Sequence, residues 1–371
     1  MKREVTFILL LLLTVSTSYG QQVNDTTEFA LVDKLIDILT VNSKNEDFSM
    51  VFYPTGDYSE QTGLSVGVMP ILTWKRDKEG EYFRPTSLIP SLEISTKGMY
   101  DADLSLILFG LGRWNIFASG FFTYTPNTYY GINQTQPQDS SAYFNKIFGA
   151  IGEMSYALNP KWFAGLRFDV QYNDFDKIEG DALNESVNGY EGGFTPGLGP
   201  VLKYDTRDDI IYPSKGSFIT TAFVYYPGQY EFNHFFVDAR YFIPLEEDKK
   251  ILALNYLYHN KSGNVPFYQL NQLGGKNRLR SIGQPNRFID EQLMLFQAEY
   301  RQEIWWRIGM TAFFGVGNVF GEIPFTQDMK YGGGLGLRFR LVDEINLNFR
   351  LDIGFGNYQQ QGTWITSREA F

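Results

Sequence analysis

The chain contains no cysteine and only two histidines in 371 residues. The first absence excludes disulfide staples and a lipid-modified leader, and the second leaves too few imidazoles for a convincing zinc centre. Long apolar runs are scarce as well. Beyond the first twenty residues, no run reaches the roughly 18 apolar residues that a membrane-spanning helix needs. A basic excess is also missing: the net charge is −10, so nucleic acid is not an expected partner.

What is present begins with a secretory pattern. Lys2 and Arg3 precede an apolar stretch from Val5 to Val15, and Ser18 and Gly20 follow at cleavage spacing, so 1–20 reads as a signal peptide. Residues 21–46 then read as a short periplasmic segment. Within it "TEFALVDKLIDIL" (27–39) is the only helical pattern, with Phe29, Val32, Ile36 and Leu39 on one stripe and Asp33 and Asp37 opposite. Such a helix either plugs the periplasmic mouth or docks a separate partner, and the plain alternative is a frayed lead-in.

From residue 47 onward the pattern has period two. In 345–356, Ile345, Leu347, Phe349, Leu351, Ile353 and Phe355 alternate with Asn346, Asn348, Arg350, Asp352, Gly354 and Gly356. Segment 162–172 does the same, with Leu166, Phe168 and Tyr172 on the face opposite Arg167 and Asp169. With 17% aromatic residues and 36 glycines, the pattern fits lipid on one face and a crowded, wet lumen on the other better than a soluble sandwich. Sixteen strands follow: 47–57, 61–74, 85–97, 101–110, 113–125, 144–157, 161–173, 194–205, 216–227, 232–244, 250–261, 292–304, 307–318, 331–341, 345–356 and 362–371. The long connections 126–143, 174–193, 262–291 and 319–330 all follow odd-numbered strands, while 159–160, 246–250 and 341–344 are short and follow even ones. Only 75–84 and 206–215 are longer than this scheme expects. The fold class is therefore all-β: a sixteen-stranded antiparallel transmembrane β-barrel over 47–371, placed in a bacterial outer membrane.

Enzymatic motifs do not survive their context. "GLSVG" (63–67) matches the G-x-S-x-G nucleophile pattern, but it runs on as a strand into "VMPILTW", without the strand-to-helix turn that lifts such a serine out of its sheet. "GGK" (274–276) lacks Walker spacing, and no G-x-G-x-x-G occurs in 315–321 or 332–336, so no nucleotide or other cofactor is implied.

"GGKNRLRSIGQ" (274–284) sets Lys276, Arg278 and Arg280 at alternate positions behind the pair Gly274–Gly275. Together with "QAEYR" (297–301), "FFGVGNVF" (313–320), "YDTRDDIIYPSKGSF" (204–218) and a closing Phe371, in this order, it resembles the BamA/TamA family of outer-membrane assembly factors, the bacterial surface antigens, over most of 194–371. The resemblance implies that the long loop folds into the lumen and that its arginine, here Arg280, docks on an acidic inner wall, with Glu299 the matching acid. Three positions depart from the family pattern: Ser281 replaces a glycine, Ile282 an aromatic residue, and Gly315 a second acid, for which Asp290 or Asp352 are the candidates. The alternative is a solvated outside loop whose cations meet lipopolysaccharide phosphates.

The resemblance further implies work on client outer-membrane proteins with a periplasmic or lipoprotein partner. The family's usual periplasmic repeats do not fit within 21–46. In that reading the first strand, with Phe48 and Val51, meets the last, ending at Phe371, in a seam that parts to pair with a client strand. Pro54 weakens such a seam because it donates no hydrogen bond. The competing function is a passive or partner-gated pore, with inward charges such as Arg167, Asp169, Arg338, Arg340 and Arg350 setting selectivity.

Overall fold

The computed structural model describes residues 42–44, 48–74, 86–132, 135, 139–246, 249–322, 324–342, 347–367 and 369–371. The signal reading of 1–20 and the helical reading of 27–39 lie outside these residues.

Among the described residues sixteen antiparallel strands close into a barrel: β1 (Phe48–Ser59), β2 (Gly63–Trp74), β3 (Thr86–Ser95), β4 (Tyr100–Leu111), β5 (Trp114–Tyr129), β6 (Ser141–Ala157), β7 (Trp162–Glu179), β8 (Gly193–Asp205), β9 (Gly216–Tyr226), β10 (Phe232–Glu246), β11 (Lys250–Gly263), β12 (Gln292–Trp305), β13 (Ile308–Phe320), β14 (Lys330–Val342), β15 (Leu347–Gly356) and β16 (Gln361–Ser367). Each pairs with its neighbour in sequence, and β16 returns to β1. No described helix is long and apolar enough to cross a membrane, so strands alone provide the spanning wall.

The alternation seen in the sequence is the wall's inside and outside. Leu166, Leu198, Phe314, Leu335 and Phe355 point outward and are exposed, while Glu153, Thr195, Glu299, Arg350 and Asp352 are buried within. Turns at one end are short, as at 112–113, 158–161 and 306–307, and the opposite end carries the loops 130–140, 180–192, 264–291 and 321–329. Connection 206–215, which the alternation scheme left untidy, is an ordered turn: Asp208 accepts hydrogen bonds from the amides of Asp209, Ser214 and Lys215 and from the Ser214 hydroxyl. Exposed tryptophans 74, 114, 162, 305 and 306 all stand at the short-turn end, where an amphipathic ring suits a membrane interface.

Strands β5, β6 and β7 outrun the sequence reading at the long-loop end for a shared reason, β5 ending at Tyr129 and not at 125. β6 and β7 run on past 144 and 173 to Ser141 and Glu179, because their ladder continues to Ala142↔Glu179 after the alternation has faded. Hydrogen bonding outlasts the lipid that enforces the pattern. The last strand is shorter than the reading of 362–371: β16 stops at Ser367, and Phe371 turns inward to pack with Phe242, Ala253 and Ala370.

Candidate functional site: the inward loop and the seam

The 264–291 loop folds back into the lumen around an apolar kernel. Leu273, Leu279, Ile282 and Phe288 pack with the inward Leu257, Leu293, Leu295 and Val319 of β11, β12 and β13. Ile282, where the family pattern has an aromatic residue, is thus a core residue of the folded loop. Gly275 holds φ +118 and Gly274 leaves no space for a Cβ, which would lie 2.6 Å from Ile282 Cγ2, so the glycine pair is required by the loop's own turn.

Arg280 is carried to the inner wall and is 2% exposed. Its Nη2 lies 2.5 Å from Glu299 Oε2 and its Nη1 donates to Asp352 Oδ2 at 2.7 Å. The guanidinium also sits 3.7 Å over the Phe313 ring. Of the two candidates for the second acid, Asp352 on β15 therefore meets Arg280. Asp290 does not: it pairs with Asn271 in a two-residue ladder at the loop's base and caps the Glu291 amide. Gly315 faces the loop as well, and a Cβ there would come 2.8 Å from Leu279 Cδ1, so a carboxylate at this position would have to move the end of that leucine.

Residues beyond the expected Arg280–Glu299 pair complete a buried charge lattice. Arg301 donates to Glu299 Oε1 at 2.7 Å and to the Phe371 main-chain oxygen at 2.9 Å. Arg338 donates to Asp352 Oδ1 at 2.6 Å and to Glu369 Oε2 at 2.8 Å, and Arg350 holds the Lys276 carbonyl at 2.5 Å. Arginines 338 and 350, read from the alternation as selectivity charges, are thus committed to the loop and its acids. The alternation of β12 places Arg301 inward beside Glu299, whereas Glu369 lay hidden in a strand drawn too long.

The same loop touches both edges of the seam. On β1, Lys276 Nζ pairs with Asp57 Oδ2 at 2.5 Å. On the β16 side, Trp364 Nε1 donates to the Arg280 carbonyl at 2.9 Å and the Gly283 amide donates to the Gln361 carbonyl at 3.1 Å. Between the strands themselves a single residue pair is in register, Ile365↔Tyr58, whereas β1 and β2 share twelve pairs. Phe48 and Val51 stand at the short-turn half of β1. There Val51 pairs across its outer edge with Asn42 of a three-residue strand, Asn42–Lys44, and not with β16. Phe371 is absent from the seam for the reason given above: its ring is held under Arg301, with Cζ 5.8 Å from the centroid.

Other candidate residues lie outside this region. Ser65 of "GLSVG" stands in mid-strand on β2, its hydroxyl bonded to Asp57 and Glu93. His234 and His259 face each other at 3.1 Å across β10 and β11, and no described cluster of three or more acids and histidines is placed to hold a metal.

A sequence profile of the Omp85 superfamily domain matches residues 111–363. Comparison with curated proteins finds no match. Among solved structures the chain is similar to BamA from Haemophilus ducreyi lacking POTRA domains 1-3, with TM-score 0.60 and 13% identity, covering 96% of this chain and 81% of that one. It is also similar to CdiB from Acinetobacter baumannii, with TM-score 0.58, 13% identity and coverage of 88% and 60%. CdiB from Escherichia coli gives TM-score 0.58, 11% identity and coverage of 95% and 72%.

Proposed function

The chain belongs to the Omp85 superfamily as a bacterial outer-membrane barrel, and from that premise we propose that it inserts or translocates outer-membrane components through the β1–β16 seam, with the 264–291 loop as its latch. The observation that carries this reading is the one registered pair between β1 and β16 in a wall whose other joints are ladders. An edge with unpaired amides and carbonyls is a template for an incoming strand, and a client β-strand has the chemistry to fill it. Arg280, held on Glu299 and Asp352, keeps the loop seated while Lys276, Gly283 and the Arg280 carbonyl bridge the two edges. Release of the latch then precedes parting of the seam. Client outer-membrane proteins and a periplasmic or lipoprotein partner are the expected company.

The test uses the native absence of cysteine. Tyr58→Cys with Ile365→Cys joins directly opposed positions, whose Cβ atoms in such a pair lie about 4.5–5.5 Å apart. Ala150→Cys with Val170→Cys, opposed on β6 and β7, is the control bond. Oxidation in a strain that depends on this chain should lower outer-membrane β-barrel levels for the seam pair only. Equal function of the two locked barrels rejects the seam mechanism and leaves a pore as the reading of the lumen.

A further inference from the structure

The outer edge of β1 falls into three unequal parts among the described residues. Tyr58 is in register with Ile365 of β16, while Val51, Met50 and Ser49 are in register with Asn42, Ser43 and Lys44, and 52–57 have no strand partner on that side. β16 leaves this stretch because its continuation turns away. Carried on in the register of Ile365 and Tyr58, Glu369 would oppose Pro54 and Phe371 would oppose Phe52. Both meet the inner wall instead: Glu369 accepts from Arg338, and the Phe371 main-chain oxygen accepts from Arg301.

The end of the edge is thus filled by the chain's own strand, Asn42–Lys44, which runs antiparallel to β1. It holds three registered pairs where β16 holds one. A bare strand edge templates the pairing of any extended chain, and a short strand laid along it blocks that template. Three residues are nonetheless a weak hold, because short two-stranded pairings are marginal in water. What raises the occupancy is the tether: the strand is joined to β1 through 45–47, so its effective concentration at the edge is high.

We propose that Asn42–Lys44 is a built-in occupant of the edge that receives a client, capping Ser49–Val51 in the idle barrel and displaced when a client strand pairs there. This rests on the seam reading given above. The occupant also sets which strands can enter. A short extended peptide competes with a tethered strand on equal terms and loses, whereas a strand that runs from Ser49 to Asp57 pairs with the open part of the edge as well and displaces it.

The test is a second disulfide in the same cysteine-free chain. Ser43→Cys with Met50→Cys joins opposed positions of occupant and edge, and bond formation is read as loss of labelling by a maleimide polymer. The bond should form in the idle barrel and lower outer-membrane β-barrel levels as far as the Tyr58→Cys, Ile365→Cys lock does, with recovery on reduction. Failure of the bond to form in a folded barrel overturns the occupant. A bond that forms without effect, while the seam lock lowers the levels, overturns the displacement and leaves the seam mechanism standing. No effect of either lock overturns both readings. An effect of this bond without one at the seam also overturns the inference, because the strand would then leave for something other than a client. Should the cysteine pair not fold, Ser43→Pro with Lys44→Pro carries the test. Alternate N–H groups of a strand face its neighbour, so this variant loses a ladder bond in either phase. Levels at or above those of the wild type are expected, and a fall in a variant with an unchanged gel shift overturns the proposal.

Discussion

Arg280 and Asp352, 72 residues apart in the chain, meet at 2.7 Å inside the barrel and join the long loop to β15. Both partners are shut off from water, and removal of one member of such a pair leaves the other charged and unsatisfied. Arg280→Ala should therefore destabilise the seated loop by about 3–5 kcal/mol. Thermal unfolding followed by the gel shift of unboiled samples measures it. A double-mutant cycle with Asp352→Asn should show non-additivity, since the two side chains share one network.

Gly362 on β16 faces the loop's backbone, and a Cβ there would come 2.1 Å from the Arg280 carbonyl oxygen. Gly362→Ala should break the hydrogen bond from Trp364 Nε1 to that oxygen and cost roughly 1–3 kcal/mol, the range for overpacking. Proteolysis within 274–284 should become faster than in the wild type. Unchanged loop protection would show that the loop does not rest on β16.

Lys276 is half exposed, so its pair with Asp57 contributes at most about 1 kcal/mol to stability. Lys276→Glu should leave the unfolding temperature close to that of the wild type. It also sets two carboxylates face to face between the loop and the β1 edge of the seam. Crosslinking of Tyr58→Cys to Ile365→Cys should then drop at low salt and recover at high salt, where such repulsion is screened.

Asp208 organises the 206–215 turn, and its acidity shows how. Partial burial pushes its carboxyl up, but the Ser214 hydroxyl and the amides of Lys215, Ser214 and Asp209 outweigh burial and hold it below its ordinary value of 3.8. A lowered folded value means that the stabilisation is complete above 3.8 and fades as pH falls through the lower folded value. Amide-exchange protection at Ser214 and Lys215 should accordingly persist from neutral pH to below 3.8 and then decline. Asp208→Asn should weaken it already at neutral pH and show no such step.

The barrel was readable because lipid and lumen demand opposite chemistries of alternate residues, so sixteen strands carried their own phase. Legibility failed where that demand ends. β6 and β7 outrun the pattern beyond the bilayer, and β16 was drawn through Glu369 and Phe371, which continue its alternate positions in sequence but turn in to meet Arg338 and Arg301. Within the site, Arg280 and Glu299 could be named from motif and strand phase together. The choice between Asp290 and Asp352 could not, since it depends on the loop's own fold: Asp290 is spent at the loop's base, and Asp352 lies where Arg280 arrives. The packing of Leu279 against Gly315 likewise depends on the loop's own fold.

The position of the loop in the chain also bears on how the ring closes during folding. Joining Tyr58 to Ile365 directly means closing a loop of 307 residues for one registered pair, the costliest kind of contact to form early. The loop divides that search, because Lys276 meets Asp57 across 219 residues and the Arg280 carbonyl meets Trp364 across only 84. A nascent barrel can thus assemble its C-terminal third around the loop first and bring β1 to a prepared dock. Closure becomes the capture of one strand by a finished template, with the loop serving as a folding scaffold before it serves as anything else.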